Sequence, residues 1–163
     1  MNNKSTKAEL AEQYFKEGAN CAQAVVAAFA PELGISKEFA MRIASGFGGG
    51  VGRMREVCGA FSGLVIVENL ANGFTDHSDK EAKDACYARI QALAGEFRKL
   101  SGGNSIICRE LLDGTNATSE GASEERTKEY YKKRPCVELV KTAVKIAENA
   151  CFFEKNQDFH LKK

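Results

Sequence analysis

Apolar residues recur every three or four positions along most of the chain, and no stretch alternates strictly enough to read as a surface strand. Thr6-x-x-Glu9 reads as a capping box, which opens a helix to about Glu17 that Gly18 stops. Asn20 is a good N-cap, and Cys21 to Ala30 follows as a nearly apolar helix broken by Pro31 and Gly34. Ser36 caps a third helix, Lys37 to about Ser45. The next residues, Gly46 to Arg53, are too rich in glycine for a regular element. Cys58 to about Ala71 has the length and content of a buried helix, although its Leu64-Val65-Ile66-Val67 run alone would also suit a strand. Ser78-x-x-Glu81 reads as a second capping box and opens the longest helix, to Leu100, ended by Ser101-Gly102-Gly103. Ser105 to Leu112 reads as a short helix, 113–129 as a polar mobile loop, and Pro135 to about Phe153 as the last helix, with 154–163 a frayed tail. The expectation is one all-α domain over 1–163, a compact bundle of about five to seven helices with a glycine-rich loop.

Two of the six cysteines fall on apolar stripes. Cys86 shares one with Ile90, Leu93, Phe97 and Leu100, and Cys151 shares another with Val140, Val144 and Ala147. A free cysteine on such a stripe behaves as a small hydrophobe, so packing is the better reading of both. The other four, Cys21, Cys58, Cys108 and Cys136, each fall within the first turn of an expected helix. There the unpaired N–H groups and the positive end of the dipole favour an anion, which depresses a thiol's pKa. Arg53 and Arg55 precede Cys58, and Lys132, Lys133 and Arg134 precede Cys136, and both groups would act in the same direction if they face the sulfur. Thiolate is the form that attacks disulfides and the form that binds metals. The plain alternative is that these four are also small buried residues, at helix ends.

The balance of 23 Lys+Arg against 22 Asp+Glu argues against nucleic acid or an anionic membrane as the main partner. The N-terminal residues show no secretory apolar stretch, and the longest uncharged apolar run, Val57 to Val67, is well short of the roughly 20 residues a membrane helix needs. A cytoplasmic protein with no membrane insertion is expected, in a compartment where thiols stay free unless they bind metal or cycle. No Cys-x-x-Cys is present, which excludes a thioredoxin-like active site and a zinc ribbon, and ferredoxin and c-type haem spacings are absent too. Any shared site must be assembled from four separate helices. His77, in a polar turn, and His160, in the tail, read as solvated. The glycine loop fits no nucleotide motif and follows no strand. It is read first as a tight backbone passage for close packing, and second as a set of N–H groups that could bind sulfur or an anion.

Gly18-Ala19-Asn20-Cys21, Phe47-Gly48-Gly49-Gly50, Cys58-Gly59-Ala60-Phe61-Ser62-Gly63, Cys108-Arg109-Glu110-Leu111-Leu112 and Pro135-Cys136 together resemble the redox-active proteins named for the motif C-GCAxxG-C-C. The likeness runs from about Phe15 to Cys151, with Cys-Gly-Ala here where the family name has Gly-Cys-Ala, an order that also occurs among its members. The resemblance implies a small helical protein whose four motif cysteines form a redox-active or cluster-binding site. A similar domain in a bacterial cytochrome that carries an iron–sulfur cluster brings a [2Fe-2S] cluster into consideration.

Three functions stay open at this point. The first is redox work at a four-cysteine site, by thiol–disulfide cycling or electron transfer, an oxidoreductase chemistry with Cys58 as attacking thiol and Cys21 or Cys136 as its partner. The second is a metal site in which Cys21, Cys58, Cys108 and Cys136 hold an iron–sulfur cluster or zinc in a structural or sensory role. The third is a helical interaction module whose cysteines only pack. A redox protein, a small thiol or another electron donor would be the partner, and the apolar helix Cys21–Ala30 leaves room for a homodimer face.

Overall fold

A computed structural model describes residues 6–115, 117–119 and 122–150. The described chain forms α1 (Lys7–Lys16), α2 (Cys21–Ala28), α3 (Lys37–Ala44), a single 3-10 turn (Ser45–Phe47), α4 (Gly59–Asn72), α5 (Lys80–Leu100), α6 (Cys108–Leu111), α7 (Lys128–Lys133) and α8 (Cys136–Asn149). The bundle is all-α, as expected, and the Leu64–Val67 run is helical. No described helix is long and apolar enough to cross a membrane.

The caps fix where helices begin. Thr6 and Glu9 form the reciprocal capping box, and Asn20 and Gln23 form a second one at the head of α2. The box expected at Ser78 is displaced by one residue. Asp79 is the N-cap and accepts from the Ala82 N–H at 2.9 Å, while Ser78 is bound to the Asp76 carboxylate. The negative charge of Asp79 also suits the positive end of the helix dipole. α7, which the sequence hides within a polar stretch, is capped by the Thr127 hydroxyl, an acceptor for Tyr130 N–H at 3.2 Å. The short helix around Cys108 is confined to Cys108–Leu111.

α2 is the central element and packs on α1, α3, α4 and α8. Six of its eight residues are buried, all Ala or Val, so neighbours can approach from every side. α4 crosses it closely. A Cβ built on Gly63 would lie 2.8 Å from Val25 Cβ and 3.0 Å from Ala22 O, and one on Gly59 would lie 2.9 Å from Phe47 O and 3.1 Å from Cys21 Cβ. The two glycines of the Cys-Gly-Ala-x-x-Gly motif are thus the contact face of α4, and they bring the head of α4 against the head of α2. On the opposite face, Phe61 of α4 meets Phe97 of α5 with ring centroids 5.6 Å apart. Farther along, fully buried Glu68 accepts from Arg89 Nε at 2.6 Å.

Candidate functional site

Each of the four motif cysteines stands where a helix starts. Cys21, Cys108 and Cys136 are the first residues of α2, α6 and α8, and Cys58 is the N-cap of α4. Segments 56–58 and 106–108 pair in an antiparallel bridge: Cys58 N–H donates to Ile106 O at 2.7 Å and Cys108 N–H to Glu56 O at 2.6 Å. This bridge fixes Cys58 beside Cys108, as the Gly59 contact fixes Cys58 beside Cys21. All four side chains line one cavity of about 40 Å³, together with Arg55, Arg126, Tyr130 and Arg134. Cys86 lies elsewhere, buried against the groove between α4 and α5. Its stripe is buried at Leu93 and Phe97, while Leu100 is exposed. Cys151 and His160 lie outside the described residues, and His77 is an exposed turn residue.

The glycine loop serves packing. Its N–H groups from Val51 to Glu56 bond carbonyls within the loop, from Gly46 to Val51. Five successive residues, Gly49 to Arg53, have positive φ, and this includes the non-glycine Val51 at 60° and Arg53 at 65°. Left-handed backbone is costly for a β-branched residue, and the close fit shows what it obtains. A Cβ on Gly50, at φ 70°, would stand 2.6 Å from Cys108 Cβ. The loop is a floor laid directly under the cysteine cavity.

Electrostatics separates the four thiols. The neighbouring Cys21 and Cys136 side chains act on each other, which lowers Cys136 and raises Cys21. Arg134, Arg126 and Arg55 lower Cys136 further, against the effect of its burial. Cys21 goes well above the ordinary range, first through Cys136 and then through burial. Of the two, Cys136 is thus the thiol whose anion the surroundings favour. Burial pushes Cys58 up to about 12, and the Phe61 and Ala60 N–H groups lean on its sulfur in part without closing a capping bond. Burial also raises Cys108, although Arg55 pulls it the other way.

At Cys58 burial outweighs the Phe61 and Ala60 N–H groups, and no arginine is among the main influences on its sulfur. Arg55 donates to Thr118 O at 2.9 and 2.7 Å and lowers Cys108, and Arg53 turns to the carbonyls of Thr118 and Ala122. Of the basic residues before Cys136, Arg134 is the one that acts on the sulfur. Sequence reasoning missed Arg126, Tyr130 and Glu124. Arg126 and Arg134 stack on the Tyr130 ring, at 4.9 and 4.4 Å from its centroid. Glu124 receives Arg134 Nη2 on both oxygens at 2.7 Å and Arg53 at 3.2 Å. The polar segment 113–129 thus lies against the cavity through Thr118 and 122–126, tied by arginines on both sides of it. The only hint in the sequence is the cluster Glu124-Glu125-Arg126 ahead of Cys136.

Soft thiolates suit zinc or an iron–sulfur cluster in kind. Among the described residues, however, no group of three or more His, Cys, Asp or Glu side chains is arranged to hold a metal ion. The side chains as placed do not compose the four-cysteine metal centre that the sequence admits.

The model of the family described as "Putative redox-active protein (C_GCAxxG_C_C)" matches residues 19–150. The chain belongs to this family. No curated protein and no solved structure matches it. Within the C-GCAxxG-C-C motif, the structure gives the two glycines a packing reason and gives the cysteines a common cavity.

Proposed function

We propose that the chain works by thiol–disulfide exchange, with Cys136 as the attacking thiolate and Cys21 as the resolving thiol. The observation that supports the reading is that Cys21 and Cys136 line one small cavity together with Arg55, Arg126 and Arg134. A thiolate stabilised by a neighbouring thiol and by guanidinium groups is both populated and close to the sulfur it must finally bond.

The oxidant in this scheme is a disulfide, RSSR. Cys136 attacks one of its sulfurs. The Cys136–SR bond forms, the S–S bond breaks, and RS⁻ leaves and takes the proton of Cys21. The Cys21 thiolate then attacks Cys136 Sγ, forms the Cys21–Cys136 disulfide and expels the second RS⁻, which is protonated by water. Two electrons pass from the cysteine pair to RSSR, and a dithiol donor reverses the sequence. Cys58 and Cys108, protonated at neutral pH, take part only by exchange with the first disulfide.

The test is thiol counting and intact mass during oxidation by a small disulfide. Cys136→Ser abolishes the reaction, Cys21→Ser halts it at the mixed disulfide, and Cys58→Ser leaves the first disulfide intact. If Cys136→Ser reacts like the wild type, the assignment is wrong.

A further inference from the structure

The thiol cavity adjoins a second, larger one. This outer cavity, of about 310 Å³, shares Asn20, Gly49, Arg55, Arg126, Tyr130 and Arg134 with the inner one and is closed on its other side by Arg53 and Glu124. Four guanidinium groups thus face a single carboxylate. That carboxylate is already engaged, since Glu124 is within ion-pair distance of Arg134, Arg53 and Arg55. Among the described residues Arg126 has no carboxylate partner. Its guanidinium stacks on Phe15 at 4.7 Å and on Tyr130 at 4.9 Å, and its Nη2 donates to Ala19 O at 3.4 Å. Its Nη1 is buried with no hydrogen-bond partner among the described residues.

A buried N–H of a charged group without an acceptor is costly and rare. Arg126 lines both cavities, in a region where four guanidinium groups stand against one carboxylate beside the Tyr130 ring. Such a cleft focuses its field and draws anions. The outer volume is that of a small-ligand pocket. The inner one admits only a few atoms, such as the two sulfurs of a disulfide.

We propose that the outer cavity takes a carboxylate of a small anionic disulfide, held by the guanidinium groups that line it with Arg126 among them, and so presents the S–S bond to Cys136. The inference rests on the exchange reading above and adds the substrate class. The balance is unchanged: the substrate's S–S bond breaks, the Cys21–Cys136 bond forms, and two carboxylated thiols leave.

Three disulfides of similar size separate the outcomes: 3,3′-dithiodipropionate, neutral bis(2-hydroxyethyl) disulfide and cationic cystamine. The thiolate absorbance at 240 nm reports the rate. The anionic disulfide is expected to react about tenfold faster than the neutral one, and cystamine slowest. Arg126→Gln is expected to cut the anionic-to-neutral ratio by about tenfold. The unreactive thioether 3,3′-thiodipropionate is expected to compete in the wild type and to raise its melting temperature, a readout that holds even if the variant fails to fold. Equal rates with all three disulfides, or no competition by the thioether, would overturn the anion site and leave the exchange reading standing. Oxidation by none of them would sink the exchange reading, and the thioether's melting shift would then decide the anion site by itself.

Discussion

Gly63→Ala tests why the motif ends in glycine. Gly63 lies inside α4 at ordinary helical φ, so its backbone gains from an alanine: a glycine in a helix interior costs about 1 kcal/mol. The same gain applies to Gly95 inside α5, where an added Cβ would meet nothing within 4 Å. The two sites differ in what the methyl meets. At Gly63 it would stand 2.8 Å from Val25 Cβ and 3.0 Å from Ala22 O, atoms that cannot rotate away. Overpacking of this kind costs about 1–3 kcal/mol. Gly95→Ala should therefore stabilise by about 1 kcal/mol, whereas Gly63→Ala should be neutral or destabilising by up to about 2 kcal/mol. Urea denaturation of the reduced protein, followed by helical circular dichroism, measures both. Each kcal/mol is worth about 2–4 °C in melting temperature for a chain of this size. If Gly63→Ala stabilises as much as Gly95→Ala, α4 does not need a bare face against α2 and the packing account of the motif is wrong.

Other outcomes follow from the same structure. The 240 nm absorbance should show one thiolate forming below the ordinary cysteine value of 9.0; it should vanish in Cys136→Ser and move up in Cys21→Ala, which lacks the neighbouring thiol. Cys58 has the opposite sign. Its folded value of about 12 lies above the ordinary 9.0, so the stability it confers is complete below pH 9.0 and is lost as pH rises towards 12. Cys58→Ala should flatten that part of the alkaline denaturation profile, and an unchanged slope would contradict the burial. Arg89→Ala leaves the Glu68 carboxylate buried with only Asn72 beside it, and should cost roughly 3 kcal/mol, the low end for a broken buried pair because Arg89 is itself 39% exposed. Chemical denaturation checks this, and a loss near zero would mean that water reaches Glu68.

Helices, their order and the helix-start position of the four cysteines were legible because their signals are local. Gly18-Ala19-Asn20 marks the start of α2, the glycine loop precedes α4, and Pro135 opens α8. The sorting of Cys86 away from the other four was legible for the same reason, as a periodicity along one helix. What ionises was not legible. Four helix heads look alike in sequence, and the difference between Cys58 and Cys136 comes from the Cys21 neighbour and from the directions Arg134, Arg126 and Arg55 take after folding, while burial raises both. Arg53 and Arg55 are adjacent to Cys58 along the chain, yet the left-handed turn from Gly49 to Arg53 aims them elsewhere. Arg126 and Glu124 escaped notice because their segment is polar and aperiodic. They matter only because that segment lies against the cavity.

The most direct measurement is a peptide map of the protein oxidised by a limiting amount of a small disulfide, with free thiols alkylated at once. The account predicts that the first protein disulfide to appear joins the Cys21 and Cys136 peptides, with Cys58, Cys86 and Cys108 recovered alkylated. A first disulfide between Cys58 and Cys108, or anaerobically purified protein that holds stoichiometric iron or zinc on these thiols and forms no disulfide, would contradict it.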